Sequence, residues 1–170
     1  MDTIVTKVPT RISAVDACGG PIAQLCVSVP GDQRREAVEQ YISGVFQASY
    51  DARILQFLPL LLTLEDSGTP QAALGLRSAG AGRLFAEQYL SMPVERQVAE
   101  SWGRLAPRSR IMELGNLVSS SPGQSVLLYL LVTAALHEAG VQYLLFAANR
   151  AVRRSIRRTG FTPRRICAAL

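Results

Sequence analysis

The sequence predicts a mixed α/β fold, a partly parallel sheet with helices on both faces. Three observations carry this reading. Short apolar runs bounded by Gly, Pro and Ser read as strands. Segments with apolar residues three and four apart read as helices. From Arg110 onward the two kinds alternate, so right-handed crossovers and some parallel pairing are expected there. With 170 residues, 48% of them hydrophobic and 18% charged, the chain is expected to form a single domain with a real core.

The elements follow in order. TIVTKVPTRISAV, within residues 1–20, reads as an edge strand or an unpacked arm, because Pro9 suits no central strand. Gly19, Gly20 and Pro21 mark a turn. IAQLCVSV is a strand ended by Pro30 and Gly31. Asp32 is placed to cap the helix QRREAVEQYISGVFQASY, whose Ala37, Val38, Tyr41, Ile42, Val45 and Phe46 share one face. PLLLTLED and QAALGLRSA flank the turn residues Ser67 to Pro70 and predict a hairpin, with Arg77 at its end. Pro93 stands at a helix N1 position before VERQVAESW, where Val94, Val98 and Trp102 recur every fourth residue.

Arg110 to Gly140 organises the remainder. RIMELGNLVSS reads as a strand, SPGQS as a turn, and VLLYLLVTAALHEAG as a helix stopped at Gly140. A strand, a small-residue loop and a helix in succession can aim backbone N–H groups at a phosphate or a pantetheine chain. VQYLLFAAN then reads as a strand covered on both faces. RAVRRSIRRTG is a short basic helix and FTPRRICAAL a last strand.

Several function classes are disfavoured. Three cysteines (Cys18, Cys26 and Cys167) show no CxxC pairing, which points to reduced thiols in a cytoplasmic protein. The single histidine, His137, removes most zinc-site and triad options, and no metal is expected. MDTIVTKVPT has no signal-peptide pattern, and no run reaches the ~18 apolar residues of a membrane span. The net charge is +5, with seven arginines from Arg150 to Arg165. Nucleic acid ranks lowest as their partner, since aromatic residues are 6% and no recognition motif accompanies them.

LFAEQYLSMPVE, ELGNLV with SPGQS, and LLFAANRAVRRSIRRTGF together resemble the thermostable hemolysin family. That family is similar to the acyl-homoserine-lactone synthases and, more distantly, to the GCN5-related N-acetyltransferases (GNAT). The resemblance runs from about Arg35 to Phe161. It implies a GNAT-like mixed, mostly antiparallel sheet with a parallel, splayed strand pair. It also implies an acyl thioester of coenzyme A or of a phosphopantetheine-linked acyl carrier protein as substrate.

The resemblance maps the acyltransferase loop onto Ser119 to Val126. Gly123 and Ser125 match its pattern, and Ser120 stands where Gln or Arg is common. The cofactor-binding residues it implies are Leu117, Val118, Ser119, Gly123, Gln124, Ser125, Asn149 and Arg153, with Arg77 on the substrate side. Thioester aminolysis needs a neutral amine and a polarised carbonyl, and a donor can protonate the leaving thiolate. Glu113 is the candidate base, or it orients the amine, with Glu87 and Asn116 in support and Tyr89 as donor to the thiolate. A backbone N–H beside a β-bulge near Leu117 or Val118 would polarise the carbonyl.

Each carboxylate also has a plain structural reading, Glu87 as a helix-start or surface group and Glu113 as the salt-bridge partner of a nearby arginine. The expected partners are a small amine and the thioester, with an acidic carrier protein at Arg153, Arg154, Arg157 and Arg158. Two other classes stay open: a membrane-active, hemolysin-like protein, and a non-catalytic partner in a biosynthetic assembly.

Overall fold

The computed structural model describes residues 2–7 and 24–168. Its elements are β1 (Asp2–Lys7), β2 (Gln24–Ser28), α1 (Arg35–Tyr50), β3 (Leu60–Asp66), β4 (Thr69–Ser78), α2 (Val94–Trp102), β5 (Ile111–Ser119), α3 (Pro122–Glu138), β6 (Tyr143–Ala148), α4 (Arg150–Arg158) and β7 (Arg164–Ala168). Short 3₁₀ turns stand at Ala79–Ala81, Phe85–Tyr89 and Arg108–Arg110. The contacts divide into two compact units. One holds Met1–Thr10, Arg77–Leu114 and Thr133–Leu170; the other holds Arg11–Leu76 and Gly115–Val132.

In the first unit the strands run β5–β6–β1–β7. β5 and β6 are parallel, in register from Ile111–Tyr143 to Leu114–Phe146, while β1 is antiparallel to both β6 and β7. Its core gathers Ala79, Leu84, Ala86, Val94, Val98, Ile111, Tyr143 and Leu145, with Trp102 packed against them. Trp102 stands edge-on to Tyr143 at 5.4 Å, and the Arg164 guanidinium lies 4.9 Å from its ring centre.

In the second unit β2, β3 and β4 form an antiparallel meander. Ser67 and Gly68 close the β3–β4 hairpin with φ of 49° and 78°. Positive φ at both central residues is the mark of a type I′ turn, whose twist matches the strands it joins. α1 lays Val38 and Ile42 against Leu61, Ala73 and Val118, and Tyr41, Val45, Phe46, Ile54 and Phe57 surround them. The chain is therefore a mixed, mostly antiparallel α/β fold that includes the parallel β5–β6 pair, as expected.

Four details differ from the sequence reading. β1 lies between β6 and β7 instead of at an edge; Pro9, on which the edge reading rested, lies outside the described residues. Asp32 does not cap α1. Its carboxylate accepts the Val29 N–H at 2.8 Å, and Arg34 occupies the cap position without a side-chain bond to the helix's free amides. The SPGQS stretch is mostly helix, because the fixed φ of Pro122 suits a first helical position. Pro93 stands at the N-cap of α2, one residue earlier than the N1 place read for it. Cys18 and the turn at Gly19–Pro21 lie outside the described residues.

Candidate functional site

Glu113 and Glu87 both fall in the first unit, where both carboxylates work on backbone amides. Glu113 is 4% exposed, near the start of β5. Its Oε2 accepts the Phe85 N–H at 2.9 Å and its Oε1 the Ala86 N–H at 2.7 Å. Those two amides open the 3₁₀ turn Phe85–Tyr89, whose first donors have no partner within the turn. Burial pushes the Glu113 carboxyl above its ordinary range. The two amides and the positive charge of Arg77 pull it back, and the charge of Glu87 pushes it up.

Glu87 is 7% exposed and faces Arg108 in a two-pronged pair, Oε1 at 2.8 Å from Nη1 and Oε2 at 3.0 Å from Nη2. The same oxygens accept the Val94 N–H at 3.0 Å and the Leu84 N–H at 2.7 Å. Arg108 spends its other donors on the Ala79 carbonyl at 2.9 Å, the Gly82 carbonyl at 2.8 Å and Glu95 at 2.7 Å. All five guanidinium hydrogens are therefore used. The guanidinium holds the Glu87 carboxyl down to about 2. A pocket of about 590 Å³ lies beside the pair, with Arg83, Leu90, Met92 and Pro93 among its walls.

Tyr89 ends the 3₁₀ turn and meets Phe85 edge-on at 6.1 Å. Thus the first unit brings together Glu113, Arg77, Glu87 and the turn carrying Tyr89. The central part played by Arg108 was missed from sequence; the available signal was its place in the basic pair Arg108/Arg110 after Pro107, downstream of Glu87 and Glu95.

The second unit holds the rest of β5. Asn116 has φ of 51°, a left-handed conformation that interrupts the pleat and that Asn tolerates better than most residues. Its side chain turns to the segment joining α1 to β3: Oδ1 accepts the Leu58 N–H at 2.9 Å, and Nδ2 donates to the Gln56 carbonyl at 3.4 Å. Buried Arg35 holds the same segment from the other side, donating to the Leu58 carbonyl at 2.8 Å and the Pro59 carbonyl at 2.9 Å. Replacing Asn116 by Ala strands the Leu58 N–H, so it is expected to lower stability by about 1–3 kcal/mol in denaturant titration.

Leu117, Val118 and Ser119 complete β5; Leu117 is half-buried and Val118 buried. The Ser120 N–H donates to the Gln71 carbonyl at 2.8 Å, which ties this end of β5 to β4, and its hydroxyl sits 3.0 Å from the same oxygen. Gly123, Gln124 and Ser125 lie in the first turn of α3. The Gln124 Oε1 is buried without a hydrogen-bond partner among the described residues. Asn149 caps α4, its side chain accepting the Val152 N–H at 2.9 Å, and Arg153 is half-buried on that helix. Among the described residues no three His, Cys, Asp or Glu side chains gather as a metal site.

Among solved structures the chain is similar to a protein from Novosphingobium aromaticivorans described as an acetyltransferase of the GNAT family. The TM-score is 0.53 and the identity 14%, over 96% of this chain and 61% of that one, so this chain spans about three fifths of that neighbour. It is also similar to the AHL synthase LasI, with a TM-score of 0.58 and 9% identity, over 82% of this chain and 78% of that one. These likenesses show a GNAT-like fold. No curated protein matches the chain in sequence. The family profile described as thermostable hemolysin covers residues 28–170, somewhat beyond the Arg35–Phe161 span of the motifs, and the chain belongs to the thermostable hemolysin family.

Proposed function

We propose that the chain is an acyltransferase that moves an acyl group from a coenzyme A or carrier-protein thioester to a small amine. The observation that carries this reading is the left-handed residue Asn116 inside β5, followed by half-exposed Leu117 and then by α3. A kinked strand turns amide groups away from its ladder, and such amides can bind pantetheine or polarise a thioester carbonyl. Leu117, Val118 and Ser119 supply that edge, and Gly123, Gln124 and Ser125 receive the phosphate end.

Glu113 is the base in this reading. Its carboxylate, whose proton affinity is raised by burial, takes a proton from the acceptor's ammonium, and the neutral amine that results attacks the thioester carbonyl. Arg77 sets its charge environment, and Glu87 keeps the turn above it in place. Tyr89 gives a proton to the departing thiolate. Asn116 positions the kink, and Asn149 and Arg153 meet the pantetheine-bearing partner. The Ser120 hydroxyl is engaged by Gln71, at a position where the pyrophosphate of coenzyme A would want a free donor. A carrier protein has one phosphodiester instead, and Arg153, Arg154, Arg157 and Arg158 on α4 suit its acidic surface.

A thermal-shift series with acyl-coenzyme A and acyl-carrier thioesters tests the reading. Ligand at 100 times its Kd stabilises by about 2.7 kcal/mol, which should raise Tm by roughly 5–10 °C in a chain of this size. Unchanged melting with every thioester would remove the proposal. A membrane-active role finds its support in the exposed Arg150, Arg154 and Arg157 of α4. Leakage from anionic liposomes caused by the Glu113→Gln protein would favour that role over acyl transfer.

A further inference from the structure

We infer that Leu58 sets the size of the acyl group this chain accepts. The inference rests on the acyltransferase reading and concerns only the second unit. Leu58 is held by both of its backbone groups, its N–H by Asn116 and its carbonyl by Arg35. Such double pinning by side chains from α1 and β5 fixes where the Leu58 side chain stands, in a segment without regular secondary structure.

That side chain stands on two glycines. A Cβ on Gly75 of β4 would lie 2.9 Å from the Leu58 Cβ and 2.7 Å from the Asn116 Oδ1. A Cβ on Gly115 of β5 would lie 3.0 Å from the Leu58 Cδ1. Neither glycine has a positive φ, so close approach and not backbone conformation accounts for them. The pinned leucine thus fills space that a side chain on either strand would occupy.

The surroundings point to an apolar occupant. Gly115, Asn116 and Leu117 are half-exposed, although buried residues flank them at Leu114 and Val118. Leu61, fully buried, comes within 3.2 Å of a Cβ built on Gly75. The charge of Arg35 is spent on carbonyl oxygens and on Glu39. A hydrocarbon tail beside the Leu117 main chain would meet leucine and glycine. Leu58, 9% exposed, is then the wall against which that tail ends.

The test is a panel of acyl thioesters from two to twelve carbons, read by thermal shift and by turnover, on wild type, Leu58→Ala, Leu58→Val and Gly115→Ala. One methylene in an apolar pocket changes discrimination about 10–200-fold. Leu58→Ala is expected to move the preferred acyl length up by about two or three carbons, with at least a tenfold change in the long-to-short ratio. Gly115→Ala, which pushes the leucine outward, is expected to move it down. Leu58→Val keeps the assay informative if the cavity left by alanine weakens the fold. Wild type that prefers one length, with all variants keeping that preference, overturns the role of Leu58 and leaves the acyltransferase reading standing. Wild type that binds no thioester overturns both.

Discussion

Glu113→Gln is expected to lower the turnover of acyl transfer by about 10²–10⁴-fold. The carboxylate stands near the start of β5 and also ties down the neighbouring turn through the Phe85 and Ala86 amides. Its raised pKa fixes the direction of the pH dependence. Only the ionised form accepts a proton, so activity should climb with pH through a value above the ordinary glutamate range and then level off. In the glutamine variant that climb should vanish. Residual activity that keeps the wild-type pH limb would assign the base to another group.

The same substitution has a structural side, which must be separated from the catalytic one. Glutamine keeps one oxygen for Phe85 or Ala86 and turns an NH₂ toward the other amide, so one buried N–H loses its acceptor. That is expected to cost about 1–3 kcal/mol. Against this runs the sign of the pKa shift. A carboxyl whose folded pKa is raised binds its proton more tightly in the native state, so stability falls as pH rises from the ordinary glutamate range through the raised value. Glutamine removes that loss, and the difference between wild type and variant should therefore shrink as pH rises. Substrate binding is the discriminating readout, since a merely loosened turn would weaken binding together with kcat, whereas loss of a base lowers kcat alone.

How much of this was legible in the sequence depends on how local the signal is. The β3–β4 hairpin was legible, because turn residues act on the backbone beside them, although of the turn read at Ser67–Pro70 only Ser67 and Gly68 are turn and Thr69 and Pro70 already belong to β4. So was α3, whose apolar run is long and ends two residues before Gly140. The left-handed Asn116 was not read from ELGNLV, although Asn between apolar residues is one of the few types that adopt that conformation. The pinning of Leu58 was beyond reach, since it joins Arg35, Leu58 and Asn116 across the chain. Only folding brings such groups together, and a guanidinium has no sequence signature for the carbonyls it will find. Arg108 is the extreme case, with partners at Ala79, Gly82, Glu87 and Glu95.

Arg108 also gives the largest expected loss of stability. Arg108→Ala leaves Glu87 ionised and nearly buried without its counter-charge, and removes the donors to two carbonyls. Breaking one side of a buried pair costs about 3–5 kcal/mol; because Arg108 is itself 29% exposed, the lower end is expected here. That corresponds to a fall in Tm of roughly 6–12 °C. Exposed Arg96→Ala on α2 is the control and should stay within about 0.5 kcal/mol.

Acid gives an independent reading of the same pair. The Glu87 carboxyl drops from 4.5 to about 2 on folding, chiefly through its bond to Arg108, so its ionised form favours the folded state. A depressed carboxylate contributes its full share above the unfolded value of 4.5 and loses it as pH falls through about 2. Wild type should therefore lose this stability between pH 4.5 and 2, and Arg108→Ala should lose much less over that window. Parallel curves for the two proteins would mean that Glu87 draws its low pKa from the Leu84 and Val94 amides instead, and that Arg108 serves the Ala79 and Gly82 carbonyls alone.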